Sequence, residues 1–68
     1  MAVAGFMITD IERGKTVTRE FPEDVYSRLH NVIGVEHEVA ADVETWCQTA
    51  SIGEMYEEFD FTVEVIEL

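Results

Sequence analysis

The sequence predicts one small α+β domain with the element order ββααβ, a three-stranded, mostly antiparallel sheet carrying two helices on one face. Three observations predict it. Two β-prone runs flank Gly14, apolar residues recur at helical spacing after Pro22, and the C-terminal residues alternate between apolar and polar. A chain of 68 residues leaves no room for a second domain, so residues 1–68 are assigned to a single unit.

Residues 4–11 and 16–21 are predicted to form a hairpin, because Gly14 supplies the positive φ that a tight turn requires. Several registers fit these residues. We prefer a three-residue loop centred on Gly14, which pairs Ile11 with Val17 and gathers apolar side chains on one face of the sheet. In this register the glycine occupies the middle of the loop rather than its usual last position.

The preferred register turns Phe6 and Ile8 away from the helices. Together with Ile66 and Leu68 they would form an apolar spot ringed by acids, which is typical of an interface. A slip of one residue exchanges the two faces of a strand, so other registers bury Phe6 and Ile8. The polar side chains expected on the same outer face are Asp10, Glu12, Thr16, Thr18 and Glu20.

Two helices are predicted in the middle of the chain. Pro22 is suited to the first helical position and Gly34 to the stop, with Val25, Leu29 and Val32 forming an apolar stripe between them. The second helix has the clearest periodicity. Six of its residues fall within an arc of about 120°, and they are Val39, Ala40, Val43, Trp46, Cys47 and Ala50.

The run 59–65 predicts the last strand. Its alternation directs Phe59, Phe61, Val63 and Val65 to the core, and Asp60, Thr62 and Glu64 to the other side. The first strand has apolar residues on both faces, which favours a central position. Counting chain reversals in the order ββααβ then makes the last strand parallel to it.

The charge of the chain is strongly negative and unevenly placed. It has 15 acids against four bases, a net charge of −11, and residues 29–68 hold ten acids with no Lys or Arg. Such a charge excludes nucleic acid and anionic membranes as direct partners, because both are held mainly by basic side chains. No apolar run approaches the roughly 20 residues that span a bilayer, no signal peptide is read, and a single cysteine fits a reducing cytoplasm.

Few residues offer catalytic or metal-binding chemistry. Cys47 lies in the apolar arc of the second helix and is interpreted as a buried, inert side chain, while His30 and His37 are interpreted as titrating surface residues. Their spacing matches no zinc pattern, and the acids match no calcium loop. The sequence therefore predicts no metal, no cofactor and no enzyme.

The acidic half of the chain is the predicted partner-binding surface, with Phe6 and Ile8 as its apolar part. Carboxylates on a helix and a strand can imitate the phosphate spacing of a nucleic acid, and the acids chosen are Glu38, Asp42, Glu57, Glu58, Asp60 and Glu64. In size and acidity the chain resembles small phage-encoded anti-defence proteins, including anti-CRISPR and DNA-mimic inhibitors. The resemblance implies a protein partner with a basic surface, such as a nuclease or a CRISPR effector complex. The alternative is a homodimeric structural or regulatory module of bacterial or mobile-element origin.

Overall fold

The computed structural model describes residues 3–68 and contains an antiparallel four-stranded sheet with helices packed on one face. The strands are β1 (Ala4–Asp10), β2 (Lys15–Arg19), β3 (Met55–Glu57) and β4 (Phe61–Glu67), in the spatial order β2-β1-β4-β3. The helices are α1 (Pro22–Ser27), which continues into a π-helical segment (Arg28–Ile33), and α2 (His37–Thr49). The predicted α+β class is confirmed, but the sheet has four strands, not three.

The core lies between the helices and one face of β1 and β4. The helical segments, β1 and β4 contribute side chains that water barely reaches, and the periodicity of α2 places Ala40, Val43 and Cys47 there as predicted. The other buried apolar residues are Phe6, Ile8, Val25, Leu29, Val35, Phe61, Val63 and Val65. Within residues 3–68, no helix combines the length and the apolar character needed to cross a bilayer.

The prediction that the last strand runs parallel to the first is wrong. The sequence analysis missed β3, a strand of three residues that pairs antiparallel with β4 through Tyr56 and Val63. This extra strand adds one chain reversal after α2. As a result β4 runs antiparallel to β1, with Ile8 opposite Val63, and β1 is central as expected.

The preferred hairpin register is also wrong. Val17 lies opposite Ile8 rather than Ile11, a shift of three positions, because the loop has four residues, 11–14. Gly14 then takes the last loop position with φ +67°, the conformation for which glycine is favoured. An odd shift reverses every side chain of β1, so Phe6 and Ile8 face the helices and are only 5% and 1% exposed. The apolar spot predicted from them on the open sheet face does not form.

The helical segment begins at Pro22 and ends at Gly34, as predicted, but its second half is wound as a π-helix. Gly34 has φ +89°, and the carbonyl of Leu29 accepts hydrogen bonds from the amides of both Gly34 and Val35. The wider π turn changes the angular phase of the residues that follow. Val32 is therefore 51% exposed, and Val35 takes a place in the core instead.

Candidate protein-binding surface

A fully exposed phenylalanine lies in the turn between β3 and β4. Phe59 is 99% exposed, so the prediction that it faces the core is wrong: β4 begins two residues later, at Phe61. The amide of Ile11 donates to the carbonyl of Asp60 at 3.1 Å and ties the β1–β2 loop to the β3–β4 turn. Ile11, 50% exposed, lies with Phe59 along a groove of about 370 Å³.

Carboxylates lie in the groove beside this apolar pair and precede Phe59 in the chain. Glu12 and Asp60 line the same groove, and the exposed side chains of Glu57 and Glu58 directly precede Phe59 in the chain. We call these six residues the acidic tip, and its members are Ile11, Glu12, Glu57, Glu58, Phe59 and Asp60. An exposed aromatic ring with an acidic rim has the composition of a protein-binding surface whose partner is basic.

The buried carboxylate of Asp10 stabilises the β1–β2 loop, which carries Ile11 and Glu12 of the acidic tip. Asp10 is 3% exposed, so its predicted place on the polar outer face is wrong. Its side chain accepts hydrogen bonds from the backbone amide of Arg13 at 3.2 Å and from the Arg13 guanidinium at 3.0 Å. Burial acts to raise the pKa of Asp10, but these hydrogen bonds and the charge of Arg13 outweigh it, and the pKa lies below 3.8. The charge of Arg13 is therefore compensated locally.

Aromatic packing supports the other side of the acidic tip. The ring of Tyr56 stacks on Phe61 with centroids 6.4 Å apart and meets Trp46 of α2 edge-on at 5.5 Å. Burial, followed by the negative charges of Glu58 and Asp42, raises the pKa of Tyr56 above 10.0. Two of the predicted site residues, one on α2 and one in the β3–β4 turn, thus act electrostatically on the same hydroxyl group.

The remaining predicted acids do not share one surface. Glu38 and Asp42 are exposed on α2, on the helical side of the sheet. Glu64 lies between the buried Val63 and Val65 on β4 and points to the opposite, open face. The expected array of helix and strand carboxylates is therefore divided: Glu64 lies on the open face, while Asp42 and Glu58 both raise the pKa of Tyr56. This division depends on the order of the strands, and the sequence analysis did not include β3.

The open face of the sheet has an apolar end formed by other residues than those predicted. Ile66 lies there as expected and is paired with Gly5, and the Leu68 side chain covers Gly5 so closely that a methyl group at that glycine would lie 2.6 Å from it. Met7 and Met55 flank Glu64 on the same face. This end of the face is a second candidate interface.

Sequence reasoning missed a cluster of three rings across the turn at Gly34. The hydroxyl of Tyr26 hydrogen-bonds to Nδ1 of His37, while Nδ1 of His30 hydrogen-bonds to the carbonyl of Val35 at 3.0 Å. The two imidazole centroids are 6.1 Å apart. The signal in the sequence was the seven-residue spacing of the histidines across a glycine stop.

Cys47 is buried, as its place in the apolar arc of α2 predicts. Its side chain is buried in the core, and burial, with a smaller contribution from Glu44, raises the pKa of the thiol to about 12. Among residues 3–68, no three His, Cys, Asp or Glu side chains group together as metal ligands would. Comparison with protein-family models, curated proteins and solved structures finds no match to this chain.

Proposed function

We propose that this chain is a small acidic binding protein that inhibits a basic nucleic-acid-binding protein by occupying its site, as anti-CRISPR and DNA-mimic inhibitors do. The observation that carries the proposal is the acidic tip, where the fully exposed Phe59 shares a groove with Glu12 and Asp60 and directly follows the exposed Glu57 and Glu58 in the chain. Aromatic side chains are frequent anchors of protein interfaces. The surrounding charge favours a partner with Lys and Arg around an apolar pocket, such as a nuclease or a CRISPR effector complex.

The α2 carboxylates extend this surface toward the helical side. Glu38 and Asp42 are spaced i,i+4 on one helix face, and the charges of Asp42 and Glu58 both raise the pKa of Tyr56. Rows of carboxylates on rigid elements compete with phosphates for the same basic groove. The net charge of −11 would also speed the encounter with such a partner at low salt.

The experiment isolates the partner by affinity purification from the host and then measures binding with both proteins purified. We expect the affinity of the complex to fall as the salt concentration rises. We also expect the partner to release nucleic acid when the complex forms. Glu38→Lys with Asp42→Lys should weaken binding at least about tenfold through local repulsion. The matched control, Glu20→Lys with Glu23→Lys, changes the net charge equally at exposed positions outside this surface.

Equal weakening by both double variants would show that total charge, and not this surface, governs binding. Affinity indifferent to salt would also contradict the proposal. Phe59→Ala should remove an anchor worth about 2 kcal/mol, roughly 30-fold in affinity, and leave the salt dependence of binding unchanged. Retained affinity in this variant would place the contact elsewhere on the protein.

A binding function also fits the side chains that catalysis would need. Cys47, the nucleophile that the sequence offers, is buried with its pKa raised to about 12, and His30 and His37 engage a backbone carbonyl and a tyrosine hydroxyl. We therefore propose that the chain is not an enzyme. A catalytic role would be revealed by an activity that Cys47→Ala, His30→Ala or His37→Ala abolishes without loss of folding.

The alternative function is a homodimeric module that associates through the apolar end of the open sheet face. The supporting observation is that Val3, Met55 and Leu68 are each about half exposed there, beside Ile66. Light scattering over a range of concentrations should then show a dimer that Ile66→Glu disrupts. Thr62→Glu, on the polar end of the same face, is the control. A monomer at every concentration would contradict this alternative.

A further inference from the structure

A cleft on the other side of the molecule from the acidic groove is lined by two of the four basic side chains. It has a volume of about 220 Å³, well over the ~15 Å³ that one water requires. The end of β2 forms one wall, and the outer side of α1 and the π-helical segment forms the other. The residues that line it are Arg19, Asp24, Ser27, Arg28, Asn31 and Val32.

Neither guanidinium in the cleft has a carboxylate partner. The i,i+4 spacing of Asp24 and Arg28 favours an ion pair in an α-helix, yet Arg13–Asp10 is the one ion pair found within residues 3–68. Arg19 donates from Nη1 to the carbonyl of Thr18 at 2.9 Å, a bond that leaves its other donors available. Two unpaired cations in a chain with 15 acids are unexpected if the cleft serves only the fold.

The Nε atom of Arg28 is a second indication that the cleft does more than support the fold. It is buried and lacks a hydrogen-bond partner, a state that destabilises a folded protein unless a ligand or water completes it. Arg28 is also the first residue of the six-residue π-helical segment, a winding that is rare in proteins. The same winding exposes Val32 at the cleft instead of placing it in the core.

We propose that this cleft binds the oxyanion of a small molecule, a phosphate monoester or a carboxylate. The two guanidiniums supply forked donors suited to paired oxygens, with the Ser27 hydroxyl and the Asn31 amide as further donors. Val32 offers an apolar wall to the rest of the ligand. The net charge of −11 and the Asp24 carboxylate in the cleft wall both repel anions, so short hydrogen bonds to the two guanidiniums rather than long-range attraction must hold the ligand.

The test is a titration of the ¹⁵N-labelled full chain, at constant ionic strength, with inorganic phosphate, phenyl phosphate and acetate in separate arms. We expect a saturable shift of the Arg28 Nε–Hε signal and of the amides of Ser27 and Asn31. Phenyl phosphate should bind more tightly than inorganic phosphate if Val32 contacts the ligand. Saturation by acetate alone identifies a carboxylate site, and saturation by the phosphates alone identifies a phosphate site.

Arg28→Lys keeps the positive charge but loses the two parallel N–H donors of the guanidinium, so it should weaken binding by about tenfold. Arg19→Lys is the second variant in case the first does not fold, and Arg13→Lys is the matched control at the hairpin loop, with unchanged affinity expected. Shifts that never saturate, or that persist equally in Arg28→Lys and Arg19→Lys, mean an adventitious ion only and overturn the proposal.

Discussion

Two phenylalanines two residues apart, Phe59 and Phe61, offer a direct test of where β4 begins. Unbroken alternation would direct both rings to the core, whereas the structure exposes one by 99% and the other by 1%. A buried aromatic ring removes roughly 150 Å² or more from water, which is worth about 4 kcal/mol at ~25 cal/mol per Å². Phe61→Ala should therefore cost about 3–5 kcal/mol of unfolding free energy, and Phe59→Ala less than about 0.5 kcal/mol.

The assay is urea unfolding followed by the fluorescence of Trp46, whose ring contacts Tyr56, and in parallel by far-UV circular dichroism. A domain of this size has a total stability of only about 3–10 kcal/mol, so Phe61→Ala leaves little folded protein to measure. Phe61→Leu, with an expected loss of roughly 1–2 kcal/mol, keeps the comparison measurable. Similar losses for Phe59→Ala and Phe61→Leu would refute the assignment of Phe59 to an exposed turn.

Two further predictions concern groups with displaced pKa values. The pKa of Asp10 is lowered in the folded state, so its stabilising effect is present above the unfolded-state value of 3.8 and is lost as the pH falls through the folded-state value. The gap in urea midpoint between the wild type and Asp10→Asn should therefore shrink below pH 3.8, and a constant gap would contradict this linkage. The Cys47 thiol, with its pKa raised to about 12, should react with iodoacetamide at neutral pH far more slowly in the folded protein than in urea. Equal rates would show that the thiol is accessible in the folded state.

The helices were predictable because their signals are local. Pro22 and Gly34 act through their own backbone geometry, and the α2 periodicity is a property of thirteen consecutive residues. The hairpin register depends instead on a side chain. Asp10 fixes a four-residue loop by accepting two hydrogen bonds from Arg13, and no rule of alternation contains that contact. Because the register shifts by an odd number of residues, each side chain of β1 lies on the face of the sheet opposite to the predicted one.

The missed strand had a larger effect on the candidate site than on the fold class. Residues 55–57 are too few to show a period, and only their pairing with β4 makes them a strand. That pairing places Tyr56 against Trp46 of α2, where the charges of both Glu58 and Asp42 raise its pKa. Composition could predict that the acids lie on the surface. It could not predict which of them act on the same group, because that depends on the order of the strands.

The position of Phe59 is the strongest argument that the acidic tip is used in binding. A chain of 68 residues gains little from its core, and a phenylalanine left in water forgoes most of the roughly 4 kcal/mol that burial would supply. The turn itself does not require an aromatic side chain, because its hydrogen bonds, Glu58 to Phe61 and Ile11 to Asp60, join backbone atoms. A serine would satisfy the same backbone. The ring therefore contributes nothing that the isolated fold needs, and this supports the proposal that the acidic tip is a binding surface.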